Sequence, residues 1–227
     1  MKLGVLLSGG KDSVYSAYLA SKSNEFVCAI TIVSENKDSY MFHTPNIDKV
    51  SLQCKSMNVP LFIAKTKGEK EKELVDLKKA ILDAKEKFKF DAIVTGAVGS
   101  KYQADRIQAI CDEVSLECIN PIWQIDQVKL LKDLIENDFH VIVGAIAAYG
   151  LDKSWIGKEI DNEMISKLTE LQKSIGLNPA FEGGEIESFV VDCPLFSKKI
   201  EIISSHVEME NEITGRLIIE EAKLIDK

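Results

Sequence analysis

The chain has 227 residues, 45% of them hydrophobic and 28% charged, with a formal net charge of -8. That is enough for one large domain or for a medium and a small one. The acidic balance argues against a broad nucleic-acid surface, and no apolar run has membrane-spanning length. Five cysteines, Cys28, Cys54, Cys111, Cys118 and Cys193, occur without any C-x-x-C, so neither a disulfide framework nor a zinc or cluster site is indicated. His43, His140 and His206 are scattered and read as surface or packing residues. The apolar N-terminal stretch is too short for a signal peptide, which leads to the expectation of a cytoplasmic protein.

Leu3 to Leu7 reads as a buried strand, and Val14, Ala17, Tyr18 and Ser21 then recur at helical spacing. Between them Ser8-Gly9-Gly10-Lys11-Asp12-Ser13 forms a strand-to-helix turn. Gly9 and Gly10 allow positive φ and close backbone approach. The first N–H groups of the new helix favour an anion, with Ser8 and Ser13 adding hydroxyls and Lys11 a positive charge. Asp12 repels phosphate and makes sense as a magnesium ligand or as a residue of the helix N-terminus. The spacing is not that of a Walker loop, which needs G-x-x-x-x-G-K-[ST]. The Lys11 side chain is expected on an exposed turn.

Phe26 to Val33 reads as the second strand, followed by a polar loop from Ser34 to His43. Thr44-Pro45 is a helix start, with Ile47, Val50, Cys54 and Met57 on one face. Pro60 to Ala64 is a third strand, Glu69 to Phe88 a charged helix with Leu74, Leu77, Ile81, Ala84 and Phe88 inward, and Asp91 to Thr95 a fourth strand. A helix from about Tyr102 turns Ile107, Ile110, Cys111 and Val114 inward, and Leu116 to Ile119 is a short strand stopped by Asn120-Pro121. This alternation predicts a parallel, doubly wound α/β sheet. With strand order 3-2-1-4-5, the crevice where the order reverses brings the loop Thr95 to Ser100, with Gly96 and Gly99, to face the first turn. Two glycine-bearing loops across one crevice suit a nucleotide, and Gly96 and Ser100 join the candidate nucleotide contacts.

Near residue 122 the pattern changes, which divides the chain into a nucleotide-binding part, 1–121, and a smaller α+β part, 122–227, with an extensive shared interface. Gln127 to Glu136 is a helix with Val128, Leu131, Leu134 and Ile135 inward, His140 to Ala147 an apolar strand, and Asp161 caps a helix carrying Ile165, Leu168 and Leu171. A strand from Phe189 to Val191 and a hairpin of Ile200 to Met209 with Arg216 to Ile225 complete the chain. Before that strand, Glu182-Gly183-Gly184-Glu185-Ile186-Glu187 places three carboxylates around two glycines. Such a loop suits magnesium, an ammonium ion or a cationic substrate, or is a solvated acidic turn. On a strand entrance Glu185 and Glu187 project to the same side.

The motif at 8–13 resembles the PP-loop of the ATP pyrophosphatases, HUP-type Rossmann-like enzymes that cut ATP between the α and β phosphates. The whole chain is similar to the short, archaeal-like form of the diphthine–ammonia ligase family. The likeness rests on SGGKDS, on Asp38 to His43, on Gly96 to Gln103, on Arg106 with Cys111, on Pro121-Ile122-Trp123, on Ala147 to Leu151, and on Glu182-Gly183-Gly184-Glu185 through Asp192-Cys193-Pro194-Leu195-Phe196. Two places depart from the family pattern. Ala180-Phe181 stands where Cys-Gly is usual, and Ile186-Glu187-Ser188 where Tyr-Glu-Thr is usual.

The resemblance implies an ATP-dependent amide ligase. A diphthine carboxylate on translation elongation factor 2 is adenylated and then amidated with ammonium, giving AMP and pyrophosphate. It implies ATP and Mg2+ as cofactors, no nucleic-acid or membrane partner, and free ammonium as nitrogen donor, since no glutaminase domain is present. Oligomerisation with a second copy stays open. Lys11 and Asp12 take the catalytic roles, Asp12 the metal, and Ser8, Gly9, Gly10, Lys11, Asp12, Ser13, Gly96 and Ser100 the nucleotide. Tyr40, Tyr102, Arg106, Tyr149, Glu182, Gly183, Gly184, Glu185 and Glu187 are the candidates for the substrate side. Three alternatives are amidation of a small-molecule carboxylate, a tRNA-modifying enzyme and a non-catalytic nucleotide-binding regulator. The missing C-x-x-C and the acidic charge disfavour the tRNA enzyme, and the intact Lys11 and Asp12 the regulator.

Overall fold

The computed structural model describes residues 1–36, 46–69 and 72–227. Its first sheet is built from β1 (Lys2–Leu6), β2 (Glu25–Ser34), β3 (Leu61–Thr66), β4 (Ala92–Val94) and β5 (Glu117–Ile119), in the order β3-β2-β1-β4-β5. All its pairings are parallel. The order reverses between β1 and β4, where the supposed order 3-2-1-4-5 puts it. The linking helices are α1 (Lys11–Ser21), α2 (Val50–Met57), α3 (Lys72–Phe88) and α4 (Lys101–Glu113).

Alternate side chains of these strands serve two cores. Cys28, Ile30, Ile32 and Ile93 pack with Leu77, Ile81, Ile107 and Cys111 of α3 and α4. Leu3, Val5, Ala29, Ala92 and Val94 belong to a larger cluster with α1 and with the second half of the chain. That second core runs without interruption into Ile122, Leu131, Val143, Phe189 and Leu217, so the two parts of the chain share one apolar interior.

The second half contains α5 (Gln127–Glu136), β6 (His140–Ala147), α6 (Asn162–Ile175), β7 (Ile186–Asp192), β8 (Lys199–Met209) and β9 (Thr214–Ile225). Its four strands form an antiparallel sheet in the order β7-β6-β9-β8. Asp161 caps α6 as expected, accepting from the Met164 N–H at 2.8 Å. β7 is longer than the apolar run Phe189 to Val191 suggests, because its first residues alternate Ile186, Glu187, Ser188 instead of running apolar.

The start of α2 also differs. Ile47–Lys49 is a 3-10 turn and the α-helix begins at Val50; Thr44-Pro45 lies outside the described residues. Along α2 the buried face contains Gln53 as well as Val50 and Cys54. Among the described residues no helix is long and apolar enough to cross a membrane, and the five cysteines are free thiols.

Candidate active site

The turn after β1 closes on itself through a left-handed glycine and two hydroxyls. Gly9 sits at φ +87, a conformation that costs a glycine nothing. The Ser13 hydroxyl closes the turn on itself: it donates to the Gly10 carbonyl at 3.1 Å and accepts from the Ser8 N–H at 3.2 Å. Ser8 and Ser13 also share a hydroxyl–hydroxyl bond of 3.1 Å. Gly10 caps α1 with its backbone alone, making no side-chain bond to the helix.

The missing cap comes from the other half of the chain. Ser188 of β7 accepts from the Lys11 N–H at 3.1 Å. Two residues on, the Val190 N–H donates to the Gly9 carbonyl at 3.0 Å. Gln53, fully buried, ties these together, its amide nitrogen donating to the Gly9 carbonyl at 2.9 Å and the Val190 carbonyl at 2.8 Å. β7 is an edge strand, and edge backbone needs a partner. Here the glycine loop supplies it. Ser188 and Gln53 hold the turn against β7, and sequence reasoning missed both. Gln53 could have been found as a polar residue inside the buried stripe of α2, and Ser188 is the hydroxyl kept where the family pattern has Thr.

The same docking overturns the expectation that Lys11 is exposed: only 1% of it is accessible. Its ammonium group lies 2.7 and 2.9 Å from the two Asp12 carboxylate oxygens and 2.6 Å from the Ala180 carbonyl. The Phe181 ring centroid is 4.6 Å away. Phe181 itself holds φ +72, a conformation that is strained for a bulky residue. The usual family glycine at this position meets that backbone without strain.

The loop Thr95 to Ser100 packs onto this turn from the opposite side, where Gly96 faces the backbone of Asp12 and Ser13. Ser100 caps α4, accepting from the Gln103 N–H at 3.4 Å. The Gly99 N–H donates to the Glu182 carboxylate at 2.6 Å. The structure therefore brings together Ser8 to Ser13, Gly96, Ser100 and the acidic loop. The Glu185 carboxylate turns back to the Gly183 N–H at 2.8 Å, while Gly184 provides a positive φ of +80.

The other candidates are placed differently. Tyr149 is 75% exposed beside Gly150. Arg106 stacks on Tyr102 within α4, 3.4 Å from the ring centroid. Tyr40, with the stretch Asp38 to His43, lies outside the described residues.

Glu187 keeps part of its surface in solvent but is deep among protein atoms. Loss of hydration pushes its carboxyl up to about 7 from an ordinary 4.5; Lys11 pulls it down and Asp12 pushes it up by less. An acid with a raised folded pKa binds its proton longer in the folded state. Its contribution is therefore intact below pH 4.5 and lost as pH rises through about 7. The full shift corresponds to about 3 kcal/mol. Glu187→Gln should accordingly raise the melting temperature at pH 8, by about 2–4 °C per kcal/mol, and leave it unchanged near pH 4. Melts that differ equally at both pH values would show that desolvation of this carboxyl is not the cause.

The donor set can be tested for magnesium. Asp12 offers a carboxylate that is 28% exposed within the Ser8–Ser13 turn. Among the described residues no group of three or more His, Cys, Asp or Glu side chains converges. Magnesium suits such a place, since it keeps waters and takes one or two carboxylates together with substrate phosphates.

Residues 1–118 match the family described as the diphthamide synthase N-terminal domain, and residues 126–225 match its C-terminal domain. The chain belongs to the diphthamide synthase family. Its relatives include the diphthine–ammonia ligase of Bos taurus, 33% identical over 91% of this chain and 85% of that one. The Homo sapiens diphthine–ammonia ligase is 32% identical with the same coverage. A solved structure from Methanocaldococcus jannaschii, described as a predicted subunit of tRNA methyltransferase, overlays with a TM-score of 0.46 at 18% identity, covering 86% of this chain and 98% of that one. That likeness is too weak to carry an argument. The diphthamide synthase family supplies the context in which the paired loops act, and its ligases use ATP.

Proposed function

We propose that this chain adenylates the diphthine carboxylate of translation elongation factor 2 and amidates it with ammonium, releasing pyrophosphate and then AMP. The observation that supports this reading is the contact of Lys11 with Ala180, Phe181 and Ser188, which flank the EGGE loop, while Glu182 of that loop accepts from Gly99. Residues 1–121 hold ATP and residues 122–227 receive the acyl acceptor.

In the first step a carboxylate oxygen attacks the α-phosphorus and the bond to pyrophosphate breaks. The α1 N-terminal N–H groups and Lys11 stabilise charge on the departing phosphates. Asp12 is the residue that would hold magnesium, whose charge would offset that of the phosphates. In the second step ammonium gives up a proton, the resulting ammonia attacks the acyl carbon, AMP leaves with the bonding electrons, and both surplus protons go to solvent. No enzyme nucleophile is required; holding two reactants in line is the larger contribution.

The decisive experiment supplies ATP, magnesium and ammonium with elongation factor 2 carrying diphthine. AMP and pyrophosphate should form in step with conversion of the carboxylate to an amide, read by mass spectrometry of the factor. ADP and phosphate as products would sink the PP-loop chemistry. A small-molecule carboxylate is the second reading, favoured by Phe181, whose ring stands 4.6 Å from the Lys11 ammonium where the family pattern has glycine. AMP formation driven by such a carboxylate, with none driven by the factor, would select it.

A further inference from the structure

The surroundings of the Lys11 ammonium group form a cation site whatever role the lysine plays. The group is buried and touches the Asp12 carboxylate, the Ala180 carbonyl and the face of Phe181. A carbonyl, an aromatic face and a carboxylate at these distances are the set that holds a small N–H cation. Lys11 is the first residue of α1, whose free N–H groups attract an anion. Its side chain reaches into the second half, to the Ala180 carbonyl and the Phe181 ring. A lysine drawn to phosphate leaves its cage behind.

We propose that this cage is the subsite for the free ammonium ion, filled by the Lys11 side chain in the resting protein and opened when Lys11 turns to the nucleotide. The assignment rests on the amidation reading. Asp12 is shared with the proposed magnesium site, so the subsite is built from the groups magnesium does not claim: the Ala180 carbonyl, 2.6 Å from the ammonium position, and the Phe181 ring, 4.6 Å from it. The cage also links the two steps: ammonium can enter only after Lys11 has left for ATP. Binding is therefore ordered, nucleotide first. The unusual Phe181, strained at φ +72, gains a role as the wall that a glycine lacks.

The first test uses Lys11→Ala, in which the cage has lost its occupant, and needs no catalysis. Thermal melts are compared in ammonium, sodium and tetramethylammonium chloride at equal ionic strength. Ammonium should raise the melting temperature of Lys11→Ala saturably and above the other two salts, while wild type shows no such preference. Equal shifts in all three salts overturn the proposal. If Lys11→Ala does not fold, Phe181→Leu in the otherwise intact enzyme decides. Its KM for ammonium should rise about tenfold, the loss of one cation–aromatic contact, with KM for ATP unmoved. An unchanged ammonium KM, or both constants moving together, overturns the subsite. Failure of the amidation reading looks different, since wild type would then show no ammonium-dependent AMP formation with any acceptor.

Discussion

Lys11→Ala is expected to lower the rate of ATP cleavage by about 10²–10³, the usual cost of removing one charge contact that tightens in the transition state. The fold does not escape unharmed. Lys11 is 1% accessible and neutralises Asp12, which is 28% exposed. Breaking a buried ion pair by deleting one partner typically costs about 3–5 kcal/mol, and the partial exposure of Asp12 reduces that figure. Rates must therefore be taken below the melting temperature of the variant, with circular dichroism as the check on folding. Lys11→Arg separates the two effects. It keeps the charge, but a planar guanidinium does not match a cage sized for an ammonium group. Full activity in Lys11→Ala would show that the residue is structural, as its buried ion pair alone allows.

The parallel α/β class was legible because the signals that set it are local, whereas the strand order 3-2-1-4-5 was a supposition that the sheet bears out. Each strand of the first sheet is a short apolar run, each crossover is an amphipathic helix, and right-handed parallel connection leaves few arrangements. The SGGKDS turn was legible for the same reason: glycines and hydroxyls six residues long fold on themselves, as the Ser8–Ser13 bonds show. The surroundings of Lys11 were not legible. They are made by Ala180 and Ser188, 169 and 177 residues away, and no local periodicity encodes which edge of a distant sheet will dock on a turn. The acidic loop fell between these cases. Its residues could be picked out, but not that Glu182 would accept from Gly99 while Glu185 folds back on Gly183. Gln53 was hidden by chemistry rather than distance. A glutamine reads as solvent-facing unless two backbone carbonyls are known to await it.

Gly96→Ala should damage the enzyme as severely as any change outside the SGGKDS turn, and Gly99→Ala, three residues on, should not. A Cβ at Gly96 would lie 2.8 Å from the Asp12 carbonyl carbon, 2.8 Å from the Ser13 nitrogen and 2.9 Å from the Asp12 oxygen. All three are backbone atoms in the first turn of α1, so nothing can rotate aside and the loop and helix must part. Overpacking of that kind costs about 1–3 kcal/mol. The larger effect is on function, because the parted helix carries the N–H groups, Lys11 and Asp12. A displacement near 1 Å of a positioning element can cost about 10²-fold in rate. A Cβ at Gly99 would meet only the end of the Glu182 side chain, at 3.3 Å, which can move while the Gly99 N–H stays available. The comparison is made by measuring kcat/KM for ATP in both variants beside their melting temperatures. Gly96→Ala should lose about 10²-fold, and Gly99→Ala only a few-fold. Equal losses in the two variants would mean that the loop from Thr95 to Ser100 serves the nucleotide through its own flexibility. A Gly96→Ala enzyme of normal rate would mean that contact between this loop and the start of α1 does not position the phosphates at all.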